Sequence, residues 1–416
     1  MREAIFRNLP ATRHRDFRAL WGGTAASSVS LWTLLLANAY IVFKLSDSSF
    51  WVGVATFAAM VPYFLAPIGG VISDKFERRI LVQLTRIGAF ITTTVLFVLA
   101  ATDVLTVWMV VAVAFIQGLV RAVEIPADSA LLPNVVPPEH RANAIALQAM
   151  TQHGSRAAGP LLAGPFLATV GVAGAYALAM LFALLAFTSM RQVRTTSRGG
   201  VARVGDIVLN VREGLAYIRA TPPVAAVFVL VVAHCALTMS FDAMLPGFAE
   251  TELHSPKSGL TVMNFGIGIG ALVGTFLLSV FPGGAGRGRL FLLTAIGSGL
   301  SPVCMAVSMD ILPATLSAIF MGSSQAMFMA MSAVFIQAVV PDAVRGRVMS
   351  LYLMSAGGVM AIANLGFASG ADAGGIPILF LVPGVLFIAI VLASIATGPH
   401  LRAVYRSGRI GGLAGA

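Results

Sequence analysis

Charge is what this sequence has least of. Only 11% of its 416 residues are Asp, Glu, Lys or Arg, less than half the roughly 25% that keeps a soluble domain's surface in water. A globule of this length has no way to cover itself with so few charges. Cysteine is scarce too: Cys235 and Cys304 both lie in apolar stretches, which supports neither a disulfide framework nor a thiolate metal site. Both read as small residues at helix-packing positions. There is no G-x-x-x-x-G-K-[ST] phosphate loop, which argues against ATP as the direct fuel. Metal-spaced His and Cys clusters, a nucleophile elbow and paired acids converging at one depth are missing as well, so nothing points to an enzyme, a metal or a cofactor. The net charge of +10 could suggest nucleic acid, but the arginines are spread along the chain and form no binding face.

What the chain has instead is apolar sequence, 58% of it, with a mean hydropathy of +0.89. The apolar stretches recur along the whole length at the roughly 20 residues that a membrane helix needs. Helix is required because backbone groups left unpaired in lipid are costly, and no alternating ten-residue strand pattern suggests a barrel. The reading is an all-α integral membrane protein of twelve transmembrane helices. The spans lie near 18–43, 50–72, 79–101, 106–127, 142–169 and 173–190, then 223–248, 259–281, 289–308, 312–335, 347–370 and 375–397. The N-terminus is basic but lacks a short apolar core with a small-residue cleavage site, so the first stretch is expected to stay as the first span.

Lys and Arg set the orientation. Outside the spans, only Lys44 and Lys257 fall in the odd-numbered links, which hold Asp47, Asp103, Glu250, Glu252, Asp310 and Asp372. The other basic residues outside the spans lie in the even-numbered links or the tails. This asymmetry predicts a multi-pass protein of the cytoplasmic membrane with both termini cytoplasmic. The expected domains are an N-terminal six-helix bundle at 1–190, a cytoplasmic linker at 191–222, a C-terminal six-helix bundle at 223–398 and a cytoplasmic tail at 399–416. In the linker Ile207, Val211, Leu215 and Ile218 recur on one face with Arg212 and Arg219 opposite, which predicts a helix lying on the inner leaflet.

The two halves share a signature. Val136-Pro137-x-x-x-Arg141 followed by Leu147 matches Val340-Pro341-x-x-x-Arg345 followed by Leu351, at a constant offset of 204 residues. Both copies occupy the link between the fourth and fifth spans of their half. Such a duplication is the architecture of transporters that rock one half against the other.

The link between spans two and three reads Gly70-Val-Ile-Ser-Asp74-Lys75-Phe-Glu-Arg78-Arg79. It resembles the G-x-x-x-D-[RK]-x-x-R-[RK] motif of the major facilitator superfamily. Gly70 would permit close helix approach. Asp74 would meet a facing helix N-terminus or an arginine, and Lys75, Arg78 and Arg79 would hold the link at the headgroups. Such a contact can latch the halves in one state and release in the other. The second-half link, Gly283-Gly-Ala-Gly-Arg287-Gly-Arg289, lacks the aspartate, so a one-sided latch is expected. Span five carries Arg156-Ala-Ala-Gly159-Pro160-Leu-Leu-Ala163-Gly164, similar to the G-P-x-x-G-G motif of the superfamily's exporters. Arg156, Gly159, Pro160 and Gly164 therefore imply export by resemblance. The flanking sequence, Pro126–Pro133, Arg141–Ala144 and Glu213–Tyr217, resembles the bacterial efflux branch of macrolide pumps and the enterobactin exporter. These antiporters often carry an arginine four residues before the glycine of span four; here that position is Ala114, which argues against proton coupling by their common route.

Ionisable groups at membrane depth are functional candidates by default. They are Arg86 in span three, Arg121 and Glu124 in span four, His153 and Arg156 in span five, and His234 and Asp242 in span seven. Arg121 and Glu124 can satisfy each other one turn apart, and Arg156 can meet Glu124 or an anionic substrate. Asp242 has no basic residue within two turns of its own span, which favours it over Glu124 as a proton carrier. Together these readings predict a secondary active, proton-coupled exporter of small amphipathic molecules. Its partners would be a small-molecule substrate, protons and the bilayer, with no nucleic acid and a monomeric state. A dedicated siderophore or metabolite exporter is the alternative; a transport-dead receptor would carry a large soluble extension.

Overall fold

The computed structural model describes residues 10–198, 205–280 and 285–408. Gly283, the arginines at 2, 7, 203 and 409, and the side chain of His153 lie outside the described residues. Sixteen α-helices and no strand occur among the described residues. They are α1 Arg15–Ser46, α2 Ser49–Met60, α3 Ala66–Lys75, α4 Arg78–Ala101, α5 Val107–Leu131, α6 Arg141–Thr169, α7 Val172–Met190, α8 Gly205–Ala220, α9 Pro222–Leu237, α10 Leu245–Thr251, α11 Ser258–Val280, α12 Ala285–Ala306, α13 Ile311–Val339, α14 Asp342–Gly374, α15 Ile376–Thr397 and α16 Pro399–Ser407. Most links between the long helices are short. Gly171 and Gly375, at φ of 83° and 86°, make two of these turns in the left-handed region where a side chain would be strained.

Ten helices among the described residues are long and apolar enough to cross a membrane, counting α2 and α3 as the single span Ser49–Lys75. The fifth expected span is α6, a continuous helix diluted by Gln148, Gln152 and Arg156. The seventh is not continuous. The helical run expected over 223–248 stops at Leu237 and resumes at Leu245. Leu84, Trp108, Leu293 and Leu312 are among many large apolar side chains left exposed, a surface that suits lipid and would be a liability in water.

The chain forms two compact units, residues 1–46 with 58–204, and residues 47–57 with 205–416. In the first, α1 packs on α6 and α7, and α5 lies against α3 and α4. Its core gathers Phe17, Leu20, Leu131, Leu147 and Met190. Gly69, and not the expected Gly70, is the glycine of close approach. A Cβ on Gly69 would fall 2.1 Å from the carbonyl oxygen of Ala122, whereas Gly70 faces open space. The register is one residue off because the α3 face that meets α5 runs through Gly69 and Ser73.

The second unit is built around stacked rings. Phe291, Phe328, Phe335 and Phe387 form its centre, with Phe291 and Phe328 stacked at 5.0 Å between centroids. Helices α11 and α13 touch along their backbones: a Cβ on Gly322 would fall 1.9 Å from the Ile267 oxygen. The linker helix forms over Gly205–Ala220, but Val211, Leu215 and Ile218 pack into the core of the second unit instead of lipid, and the side chain of Ile207 lies outside the described residues. Ile218 is buried, Gly214 meets Arg347 and Leu351, and Glu213 pairs with Arg347. The expected tail likewise begins as a packed helix, α16. Arg402 of α16 donates from Nε to the Ile395 oxygen at 2.7 Å and from Nη2 to the Ala396 oxygen, satisfying carbonyls that the end of α15 leaves open.

Candidate functional site

In the first unit α4 carries Arg86 to the interior, and its side chain is only 1% exposed. An isolated guanidinium at this depth would be prohibitively costly, so its partners decide whether the unit folds. Arg86 Nη2 donates to Asp128 Oδ1 at 3.2 Å and to Thr24 Oγ1 at 2.8 Å. Its Nη1 reaches the Ala186 oxygen at 3.4 Å, and its Nε lies 3.6 Å from Glu124 Oε1. Asp128 also accepts from Gln148 Nε2 at 2.9 Å, and Glu124 accepts from Ser27 Oγ at 3.3 Å. Glu124 and Asp128 stand four residues apart on α5, one turn of a common face. The cluster therefore ties α1, α4, α5 and α7 through a single guanidinium, and α6 through Asp128. Gly23 makes room for it: a Cβ there would sit 2.2 Å from Arg86 Nη1.

Beside the cluster lies a cavity of about 30 Å³ as measured for the centres of water molecules, enough for about two waters. Ser27, Ser30, Arg86, Gln117, Arg121 and Glu124 line it. Arg121 does not pair with Glu124 as expected from their spacing. Its Nε donates to Tyr63 Oη at 3.4 Å, and Glu124 turns to Arg86 instead. Two arginines and two acids balance in formal charge. A proton added to one acid unbalances them and weakens one hold on Arg86. The Arg156 guanidinium lies 4.8 Å from the Trp32 ring, at an attractive cation–π distance. Gly159, one turn on, sits against the same segment, where a Cβ would fall 2.5 Å from Trp32 Cβ. Pro160 and Gly164 are buried in the same helix.

Asp128, Thr24 and Gln148 were not among the expected site residues. Asp128 lies past Pro126 in a polar stretch that reads as a link, yet α5 runs through Pro126 to Leu131. The signal that could have found it was the four-residue spacing from Glu124.

The aspartate motif forms a local cluster at the junction of α3 and α4. Asp74 Oδ1 pairs with Arg78 Nη2 at 2.9 Å, and Arg79 Nε with Glu77 at 3.2 Å. Arg78 Nη1 donates to Ser197 Oγ at 3.3 Å, and Arg79 Nη1 to the Val193 oxygen at 3.4 Å. The motif thus fastens the α3–α4 junction to the chain leaving α7. Lys75 lies 5.9 Å from the Phe76 ring.

In the second unit Asp242 sits half-buried in the break between α9 and α10. A broken helix leaves backbone groups open, and side chains from elsewhere take them. Gln325 Nε2 donates to the Thr238 oxygen at 2.6 Å, and Asn364 Oδ1 accepts from Ala243 N at 3.2 Å. Interrupted helices of this kind are where transporters place substrate and ion sites. His234 is fully buried. Its Nδ1 lies 2.7 Å from Thr238 Oγ1 and 3.1 Å from Ser298 Oγ, and its ring packs 4.4 Å from Phe328. Among the described residues, no three of His, Cys, Asp and Glu are grouped as metal ligands would be.

Residues 8–404 match the family described as transmembrane secretion effector. The chain is 24% identical over 388 residues to macrolide efflux protein A of Streptococcus pyogenes, covering 90% of this chain and 94% of that one. It is 22% identical over 363 residues to the staphyloferrin A transporter of Staphylococcus aureus, covering 85% and 89% respectively. Among solved structures, a POT family transporter in complex with 5-aminolevulinic acid superposes with a TM-score of 0.75 at 12% identity, over 93% of this chain and 97% of that one. Its fold is that of this chain, with multiple membrane-spanning helices. The match over nearly the whole length makes this chain a member of the transmembrane secretion effector family of the major facilitator superfamily, a transporter and not an enzyme.

Proposed function

We propose that this protein is a secondary active exporter of small amphipathic molecules, driven by the proton gradient across the cytoplasmic membrane, with both termini in the cytoplasm. The observation that carries the coupling is the Arg86 bridge, one buried cation held by Glu124 and Asp128 beside a small polar-lined cavity. A proton arriving on Asp128 removes the charge that holds Arg86 Nη2, so loading a proton loosens the tie between α4 and α5. A substrate that competes for the same acids restores the need for deprotonation. Loading one then excludes the other, which is the requirement for antiport. This reading moves the proton from Asp242, favoured by sequence, to the α5 pair. The aspartate motif remains our proposed latch.

A dedicated siderophore exporter is the second reading. The likeness to the staphyloferrin A transporter favours it, as do Arg86 and Arg121 at the cavity, since guanidinium groups suit anionic chelates.

Purified protein in proteoliposomes with an imposed pH gradient tests both readings. Lipophilic cations, macrolides and ferric siderophores form the substrate panel. Uphill movement that a protonophore collapses is expected. Asp128→Asn and Glu124→Gln should each abolish it while leaving downhill exchange in place. Uphill pumping at parental rates by both variants would end the coupling proposal, and the panel member moved decides between the readings.

A further inference from the structure

Residues 47–57 belong by packing to the second unit, although residues on both sides belong to the first. They comprise the link after α1 and most of α2. Asp372, at the far end of α14, holds them. Its Oδ1 accepts from Ser49 N at 2.9 Å, and its Oδ2 accepts from Phe50 N at 3.3 Å and from the hydroxyl of Ser48. These amides are the open donors of the first turn of α2, so a carboxylate from a distant helix fills the place of a local N-cap. It also lies where the helix dipole favours negative charge.

The rest of the segment is shaped to lie flat on α14. A Cβ on Gly53 would fall 2.5 Å from Ala368 Cβ and 3.4 Å from Leu365 Cα, so only glycine lets the two backbones meet. Ser49 and Val52 are each 1% exposed, and Ala55 is 5% exposed. Four residues past the unit boundary, the helix narrows to a 3₁₀ stretch over Val61–Leu65 with Pro62 in it, the kind of interruption that marks a hinge. The docked face is thus small and glycine-smooth, the bond at its tip is polar and borders exposed positions, and a bend lies at its other end. If undocked, the first amides of α2 exchange a carboxylate for water, so release is within reach.

We propose that Asp372 is a reversible clasp. It holds residues 47–57 against α14 in the conformation described, and its release lets that segment leave α14 about the Val61–Leu65 bend. The proposal rests on the chain alternating between conformations, as a transporter must. Its test counts docking without any substrate, so failure of the transport assay leaves the result standing.

The test uses full-length protein in nanodiscs, where both faces are reachable, with Cys235→Ala, Cys304→Ala and Val52→Cys as the parent. The rate of Val52→Cys modification by a hydrophilic maleimide reports undocking. Asp372→Ala should raise that rate about fivefold, the order expected from losing a helix cap. Asp372→Asn keeps an acceptor oxygen and should raise it less. Ser48→Ala removes one donor and should give a smaller rise in the same direction. Rates for Asp372→Ala and Ser48→Ala unchanged from the parent would overturn the clasp. Should Asp372→Ala fail to yield monodisperse protein, Ser48→Ala and Asp372→Asn decide alone: a rise in either supports the clasp, and no rise in both overturns it.

Discussion

The first unit hides charge, and the second hides rings and neutral polar groups. Arg86, Glu124 and Asp128 lie at the centre of one, while Phe328 and Phe387 pack against His234 in the other, with Phe291 stacked on Phe328. The two share the short signature repeated at an offset of 204 residues. They solve the same burial problem with opposite chemistry. Charge that is buried and paired is expensive to disturb and responds to a proton. Aromatic packing has no such response. In the coupling we propose, the proton acts on the first unit.

The largest expected effect would come from breaking the charged side of this comparison. Arg86→Leu leaves two buried carboxylates without their cation and should cost about 3–5 kcal/mol, read as a drop in the melting midpoint of the purified protein. A variant that melts like the parent would remove the charged core as an organising feature. The neutral side should answer more mildly. Gln325→Leu strands one backbone carbonyl at the α9–α10 break and should cost about 1–3 kcal/mol, checked the same way. If it proves as damaging as Arg86→Leu, the two units are alike in their dependence on polar contacts. The smallest change belongs to the motif at the membrane edge. Asp74 is 38% exposed in its pair with Arg78, so Asp74→Asn should cost no more than about 1 kcal/mol of stability. Spin-label distances that shift while melting stays intact would identify it as a latch; unchanged distances with normal transport would leave it a local fastening.

The membrane helices were legible in the sequence because lipid demands long apolar runs and polar links, and that rule is local. What escaped was set by distant residues. Nothing in Ser240 or Pro246 announces that the seventh span unwinds. The break survives because Gln325 on α13 donates to its open carbonyl at Thr238 and Asn364 on α14 accepts from its open amide at Ala243. Asp128 was read as part of a link because Pro126 and polar neighbours surround it. Arg86, Thr24 and Gln148 make its burial tolerable, and none of them is close in sequence. The sequence left Glu124 open to Arg121 or Arg156, but the guanidinium of another helix took it. A helix does form in the linker, over Gly205–Ala220, yet periodicity alone does not say whether lipid or α14 will cover its apolar side.

The docking of residues 47–57 also sets a timetable for biosynthesis. Asp372 follows Ser49 by 323 residues, so at about 5–20 residues per second the ribosome reaches it roughly 15–65 s after that segment is made. During that interval α2 has inserted without the helix that will flank it. Its glycine-smooth face meets lipid tails, and its leading amides are held by interfacial water. A segment that must wait so long needs a first turn that is content in water and a surface that lipid can cover. Ser48, Ser49 and Gly53 provide both.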